Sequence, residues 1–274
     1  MNSTYARPRR WMGFAVLIVG LVFIPAVGLG EARGGEKAKA DAMRAAEMVD
    51  AIVNRNKAPK VVGWSSRVPP PSPRKAALFP EDHDWKEEAR VRKAIDQLEK
   101  ERTEAVWEEL VKRRGDRRYS ETVTTAKTAD ASIRTVGDIC DELAYSRLIG
   151  VFWQHLPLVE GKDGDVELPL DIGIRDLSRW RKQRATKALH VLQIEVCEKA
   201  IKALAKVKRV PRAQKDKARK KIKAEIAKLK KTKRPVHVQG GEPSYRERGV
   251  YNAELAKRVR EGVQSGKYGN LGIP

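Results

Sequence analysis

The chain has 274 residues, a formal net charge of +21 and a pI of ≈ 10.0. Its two cysteines, Cys140 and Cys197, exclude a disulfide-framework scaffold. Few aromatics beside abundant alanine, lysine, glutamate and arginine favour helix over sheet.

Arg7, Arg9 and Arg10 precede an almost uncharged apolar run, Trp11 to Gly30, with its heart from Phe14 to Ile24. This is the layout of an export signal. Pro25 breaks the apolar run, and the small residues Gly28, Gly30 and Ala32 suit cleavage between residues 28 and 33. A retained membrane anchor is the competing reading, since a spanning helix needs about 20 apolar residues. Arg9-Arg10 matches a twin-arginine signal only partly, so the ordinary secretory route ranks higher.

Residues 36–54 form a short amphipathic helix, with Ala45, Met48, Val49 and Ile52 on one face. The prolines between Arg55 and Pro80 predict an extended linker with little internal hydrogen bonding. Asp84 and Glu87 have capping-box spacing before a helix to about residue 100, whose apolar face is Trp85, Ala89, Ile95 and Leu98. Thr103 caps a second helix bearing Val106, Trp107, Leu110 and Val111. The charges on this pair nearly cancel, as on solvated outer faces. Thr135 and Asp138 form another capping box, opening a helix with Val136, Ile139, Cys140, Leu143 and Leu148.

Residues 154–173 read as a loop, and a long helix is expected from Ile174 to about Lys208, buried along Leu189, Ile194, Cys197, Ile201 and Leu204. Val210-Pro211 turns the chain into a helix to about Lys231, with Ala218, Ile222, Ile226 and Leu229 at spacings of three and four. The two make an antiparallel hairpin with a narrow apolar seam. Pro235 ends it, and Asn252 caps a last helix with Leu255, Val259 and Val263.

Two short amphipathic helices, then Asp116-Arg117-Arg118-Tyr119, then a capped helix resemble HEAT-like repeats. More closely, Trp85-Lys-Glu-Glu, Trp107-Glu-Glu-Leu-Val111, Asp116-Arg-Arg-Tyr119 and Thr135-Val-Gly-Asp-Ile-Cys140 resemble a group of exported planctomycete-type bacterial proteins. The resemblance covers about residues 80–160 and carries over no functional residues.

Charge is unevenly placed. Residues 175–234 hold 23 Lys and Arg against 5 Asp and Glu, whereas residues 119–174 hold 4 basic and 10 acidic residues. Either the two segments pair internally or a basic surface is left for an anionic partner. Candidate anion-binding residues are Arg181, Lys182, Arg184, Lys215, Lys217, Arg219, Lys220, Lys221 and Lys223, continued by Lys228, Lys230 and Lys231. A merely solubilising face is the bland alternative.

No nucleophile elbow, Walker loop or dinucleotide fingerprint occurs, and His83, His155, His190 and His237 lack zinc-ligand spacing. Asp163, Asp165, Glu167 and Asp171 match positions 1, 3, 5 and 9 of a calcium loop, but Leu168 and Ile174 stand where glycine and the bidentate glutamate belong. Cys140 and Cys197 read as buried thiols, with one bridge as the alternative. No catalytic residue, metal or cofactor is therefore assigned.

The expected architecture is all-α. A signal or anchor (1–30) is followed by a short helix and Pro-rich linker (31–80), a HEAT-like core (81–173), a basic hairpin (174–235) and a C-terminal helix and tail (236–274). The expected function is a non-enzymatic interaction or scaffold protein of the envelope or periplasm, its partner an envelope protein or anionic polymer. The alternative is anionic-polymer or nucleic-acid binding through residues 175–234, nucleic acid ranking lower. Membrane contact is expected only through an uncleaved N-terminal segment.

Overall fold

The computed structural model describes residues 28–63, 75–125, 131–157, 170, 172–208, 210–236, 248–250 and 253–265. The chain divides into two compact units, residues 1–37 and 38–274. The apolar heart of the export segment, the acidic loop around Asp163 and the cap at Asn252 lie outside the described residues. Among the described residues no helix is long and apolar enough to cross a membrane.

Eight helices dominate the described residues: α1 (Gly28–Asp50), α2 (Trp85–Lys100), α3 (Glu104–Lys112), α4 (Val136–Trp153), α5 (Leu177–Lys182), α6 (Leu189–Lys206), α7 (Arg212–Thr232) and α8 (Ala253–Gln264). The described residues are mainly helical, consistent with the expected helical class, and carry two small antiparallel sheets besides. Strands β1 (Lys60–Gly63) and β2 (Lys75–Leu78) pair antiparallel, Lys60 opposite Leu78. A second antiparallel sheet has the order β4-β3-β5, from β3 (Tyr119–Thr125), β4 (Ala131–Thr135) and β5 (Arg248–Val250). The expected linker thus holds a hydrogen-bonded hairpin at its two ends. The run Tyr119-Ser-Glu-Thr-Val-Thr-Thr125 is rich in β-branched residues, which suit a pleated strand.

Local chemistry sets the helix starts. The Asp84 side chain accepts from the backbone N–H groups of Lys86 and Glu87. The reciprocal arm of the expected box is missing, because the Glu87 carboxylate accepts instead from Arg90 and from the Arg55 backbone N–H. Thr103 accepts from Val106 N–H, and Thr135 with Asp138 closes a full capping box. At Gly137 the backbone N–H donates to Asp116 O at 2.8 Å. A Cβ there would lie 2.5 Å from Arg114 O, so only glycine allows this approach.

The core surrounds α4, whose buried residues include Val136, Ile139, Cys140, Leu143, Leu148 and Phe152. The fully buried Trp107 of α3 donates from its indole N–H to Ala144 O at 3.0 Å, fixing α3 on α4. One apolar cluster runs from Ala45, Val49 and Ile52 of α1 through α2, α3 and α4 to Ile222, Ile226 and Leu229 of α7. On α2 the buried face is Glu88, Val91, Ile95 and Leu98, while the expected Ala89 is exposed. A smaller cluster joins Ala76, Ala77 and Phe79 to Ala131 of β4 and to Ala256 and Val259 of α8.

The expected helix from Ile174 to Lys208 is two helices. α5 stops at Lys182, residues 183–187 turn, and α6 starts at Leu189. Ala188 offers no side-chain cap, and Glu104 of α3 supplies one by accepting from Leu189 N–H at 2.7 Å. α6 packs on α4 as well as on α7, so the hairpin is not held by its own narrow seam alone. Its buried face is Leu189, Leu192, Gln193, Val196, Cys197, Ala200 and Leu204; the expected Ile194 and Ile201 are only half-buried.

Candidate anion-binding surface

The basic face is built on α7 by periodicity alone. Ala218, Ile222, Ile226 and Leu229 are buried against α6 and α4, as their spacing predicts. The helix carries ten Lys or Arg against Asp216 and Glu225. Burying one apolar stripe turns the remaining positions outward. Lys217, Lys220, Lys221, Lys223, Lys228, Lys230 and Lys231 are all exposed, and Lys215 and Arg219 are half-buried. Lys233 ends the helix in the left-handed conformation at φ 52°, so the basic run continues through the cap to Arg234.

None of the seven exposed lysines of α7 has a carboxylate partner among the described residues. The acidic residues of the helix are engaged elsewhere. Asp216 lies 3.9 Å from Arg212 and 3.8 Å from Arg219, and Glu225 lies 3.4 Å from His155 Nε2 at the end of α4. Like charges at i,i+3 and i,i+4, such as Lys217–Lys220, Lys217–Lys221 and Lys220–Lys223, each cost about 0.2–0.5 kcal/mol. The fold gains nothing visible from them.

The arginines behave differently. Arg181 donates to both carboxylate oxygens of Glu108 and sits 5.5 Å over the Trp107 ring. Arg184 pairs with Glu195 at 2.7 Å and covers the Trp180 ring at 4.5 Å. Both are therefore positioned inward as braces of α5 and its turn. Lys182 is exposed and lines an open groove with Glu108, Lys112 and Ser178. α5 packs on α3, whereas α7 packs on α6 and α4. The sequence-predicted residues accordingly fall into two groups, Arg181, Lys182 and Arg184 on α5 and its turn, and Lys215 to Lys223 on α7.

A buried polar cluster among the described residues is not visible in the sequence, where it reads as a solvated helix face. Glu88, buried on α2, accepts from Asn54 Nδ2 at 2.6 Å, Thr122 N–H at 3.3 Å and Tyr119 Oη at 3.3 Å. Burial nonetheless pushes its carboxyl up, the hydrogen bonds only partly opposing this. His83 Nε2 is 3.6 Å from Glu88 Oε2, and its ring packs edge-on against Phe79 and Trp85. Burial drives the His83 pKa down, against the pull of Asp84 and Asp82. Beside them Arg134 pairs with Glu121 at 3.0 Å and with Glu142. With 1% and 4% of their side chains exposed, His83 and Glu88 offer no opening to a substrate. The cluster joins the end of α1, α2 and β3.

Cys140 and Cys197 are both free and buried. Burial pushes each thiol up to about 12, which removes the thiolate needed for nucleophilic chemistry. Among the described residues no group of His, Cys, Asp and Glu has a metal-holding arrangement. Comparison of the chain with models of protein families, with curated proteins and with solved structures gives no match.

Proposed function

We propose that this chain is an exported, non-enzymatic interaction protein of the cell envelope or periplasm. Its contact surface is the lysine face of α7, and its partner is anionic. One observation carries the reading: seven exposed lysines stand unpaired on one helix, while arginines such as Arg90, Arg114, Arg134, Arg181 and Arg184 are tied into ion pairs. Repulsive charge that the fold does not use is retained for something outside the fold. The arginine-then-apolar start supports export, and the packing of α3 on α4, with the buried face of α2 in the same apolar cluster, supports a HEAT-like core of the kind expected from the exported planctomycete-type group it resembles.

Heparin chromatography tests the surface. The wild type should be retained to a higher salt concentration than K220Q/K221Q/K223Q, with equal helicity by circular dichroism. Co-elution of the two removes the surface reading. Mass spectrometry of the native N-terminus tests export, with a start between residues 28 and 33 expected. An intact residue 1 in the cytosolic fraction overturns it.

A further inference from the structure

Resting on that reading of α7, we infer that its partner is a flexible linear phosphate polymer that wraps the helix and is read by charge alone. Three features of the face point there.

The first is the arc. Successive helical residues turn by about 100°, so Lys223 and Lys230 lie at one edge, Lys221 and Lys228 at the other, and Lys217, Lys220 and Lys231 between. They span about 180° of the circumference, centred opposite the buried Ile222, and about 21 Å along the axis. A flat bilayer meets only the middle of such an arc. A flexible chain can follow all of it.

The second is the filling between the lysines. Ala224 and Ala227 are the exposed apolar residues among them. The only large hydrophobics exposed among the described residues are Met43 and Val191, neither on α7. Surface helices that enter a bilayer need an apolar face, and single-strand binders stack bases on aromatic rings. This face supplies neither.

The third is the choice of lysine. Arginine presents a planar fork that grips one phosphate or carboxylate bidentately, whereas lysine is a mobile point charge. A row of lysines fixes no register on its ligand and selects for charge density. Nucleic acid and base-free phosphate polymers share this chemistry.

The test uses the full chain with 20-nucleotide dT and dA oligonucleotides, inorganic polyphosphate of matching charge, and vesicles of phosphatidylglycerol and phosphatidylcholine. Seven lysine contacts to a single-stranded polymer predict a slope of about −5 in log K against log salt. The variant K220Q/K221Q/K223Q should flatten it by about 2. The two oligonucleotides should bind within about twofold of each other, and polyphosphate should displace both, as expected when only the backbone charge is contacted. Vesicles should bind more weakly per anionic group. A preference of tenfold or more for one base, for oligonucleotide over polyphosphate, or for vesicles overturns this inference while leaving an anionic partner in place. Failure of every probe to bind at low salt overturns the anionic-surface reading itself.

Discussion

Gln193 and Val236 hold each other as a backbone pair would. The Gln193 side chain donates from Nε2 to Val236 O at 2.7 Å and accepts at Oε1 from Val236 N–H at 2.9 Å. Its second amide hydrogen reaches Arg147 O on α4 at 2.9 Å. One fully buried glutamine thus ties α6 to α4 and to the chain leaving α7. Gln193→Ala should strip these partners and cost about 1–3 kcal/mol of stability, because partly buried polar groups would lose their hydrogen bonds. Urea unfolding measures it. A loss below about 0.5 kcal/mol, the range of a neutral surface change, would show that water replaces the glutamine freely.

Glu88 gives a pH signature of definite sign. Burial raises its folded-state pKa above the ordinary carboxylate value. As pH rises through the unfolded value, the unfolded chain releases its proton while the folded one holds it, so stability falls until the folded pKa is passed. His83 acts in the opposite sense, its depressed pKa removing stability as pH falls below the ordinary histidine value. Comparing wild type with Glu88→Gln at a series of pH values isolates the carboxyl. The stability of wild type minus that of the variant should decline from about pH 4.5 upward and then level off. A difference that rises with pH would mean that the hydrogen bonds from Asn54, Thr122 and Tyr119 outweigh desolvation.

How much of this was legible follows from how local each feature is. The caps at Asp84, Thr103 and Thr135 act within three residues, so spacing reveals them. The start of α6 was hidden because its cap, Glu104, is 85 residues away. No proline or glycine interrupts residues 175–188, so nothing in the local pattern ends α5. Glu88 was mistaken for a surface charge because the groups that stabilise it come from Asn54, Tyr119 and Thr122, on the chain after α1 and on β3. The α7 lysines were legible because outward exposure needs only one apolar stripe, and Ile222, Ile226 and Leu229 mark it. Arg181 and Arg184 were not separable from them, since whether a cation faces solvent or a carboxylate depends on Glu108 and Glu195.

The cysteines should be silent in the native state. With both thiols pushed up to about 12 by burial, neither supplies thiolate near neutral pH. Iodoacetamide at about pH 8 should label neither Cys140 nor Cys197 until the protein is unfolded, and both afterwards. Rapid stoichiometric labelling of the folded protein at either position would show that the helices around α4 open readily.

Ile222 decides whether the α6–α7 hairpin stands alone. A narrow seam between two basic helices would melt by itself, leaving the rest intact. The structure joins Ile222 to the same apolar cluster as Trp107 and Phe152, through helices α6 and α4. Burying an isoleucine side chain is worth about 1.5–3 kcal/mol, and an aspartate in its place adds the desolvation of a charge. Ile222→Asp should therefore unfold α7, α6 and the α4 core together. Far-UV circular dichroism reports the helices, and near-UV circular dichroism reports the packed rings of Trp107 and Trp180. The two signals should fall in one transition. If the helical signal drops partway while the near-UV signal stays native, the hairpin is an independent arm and α4 holds the core without it.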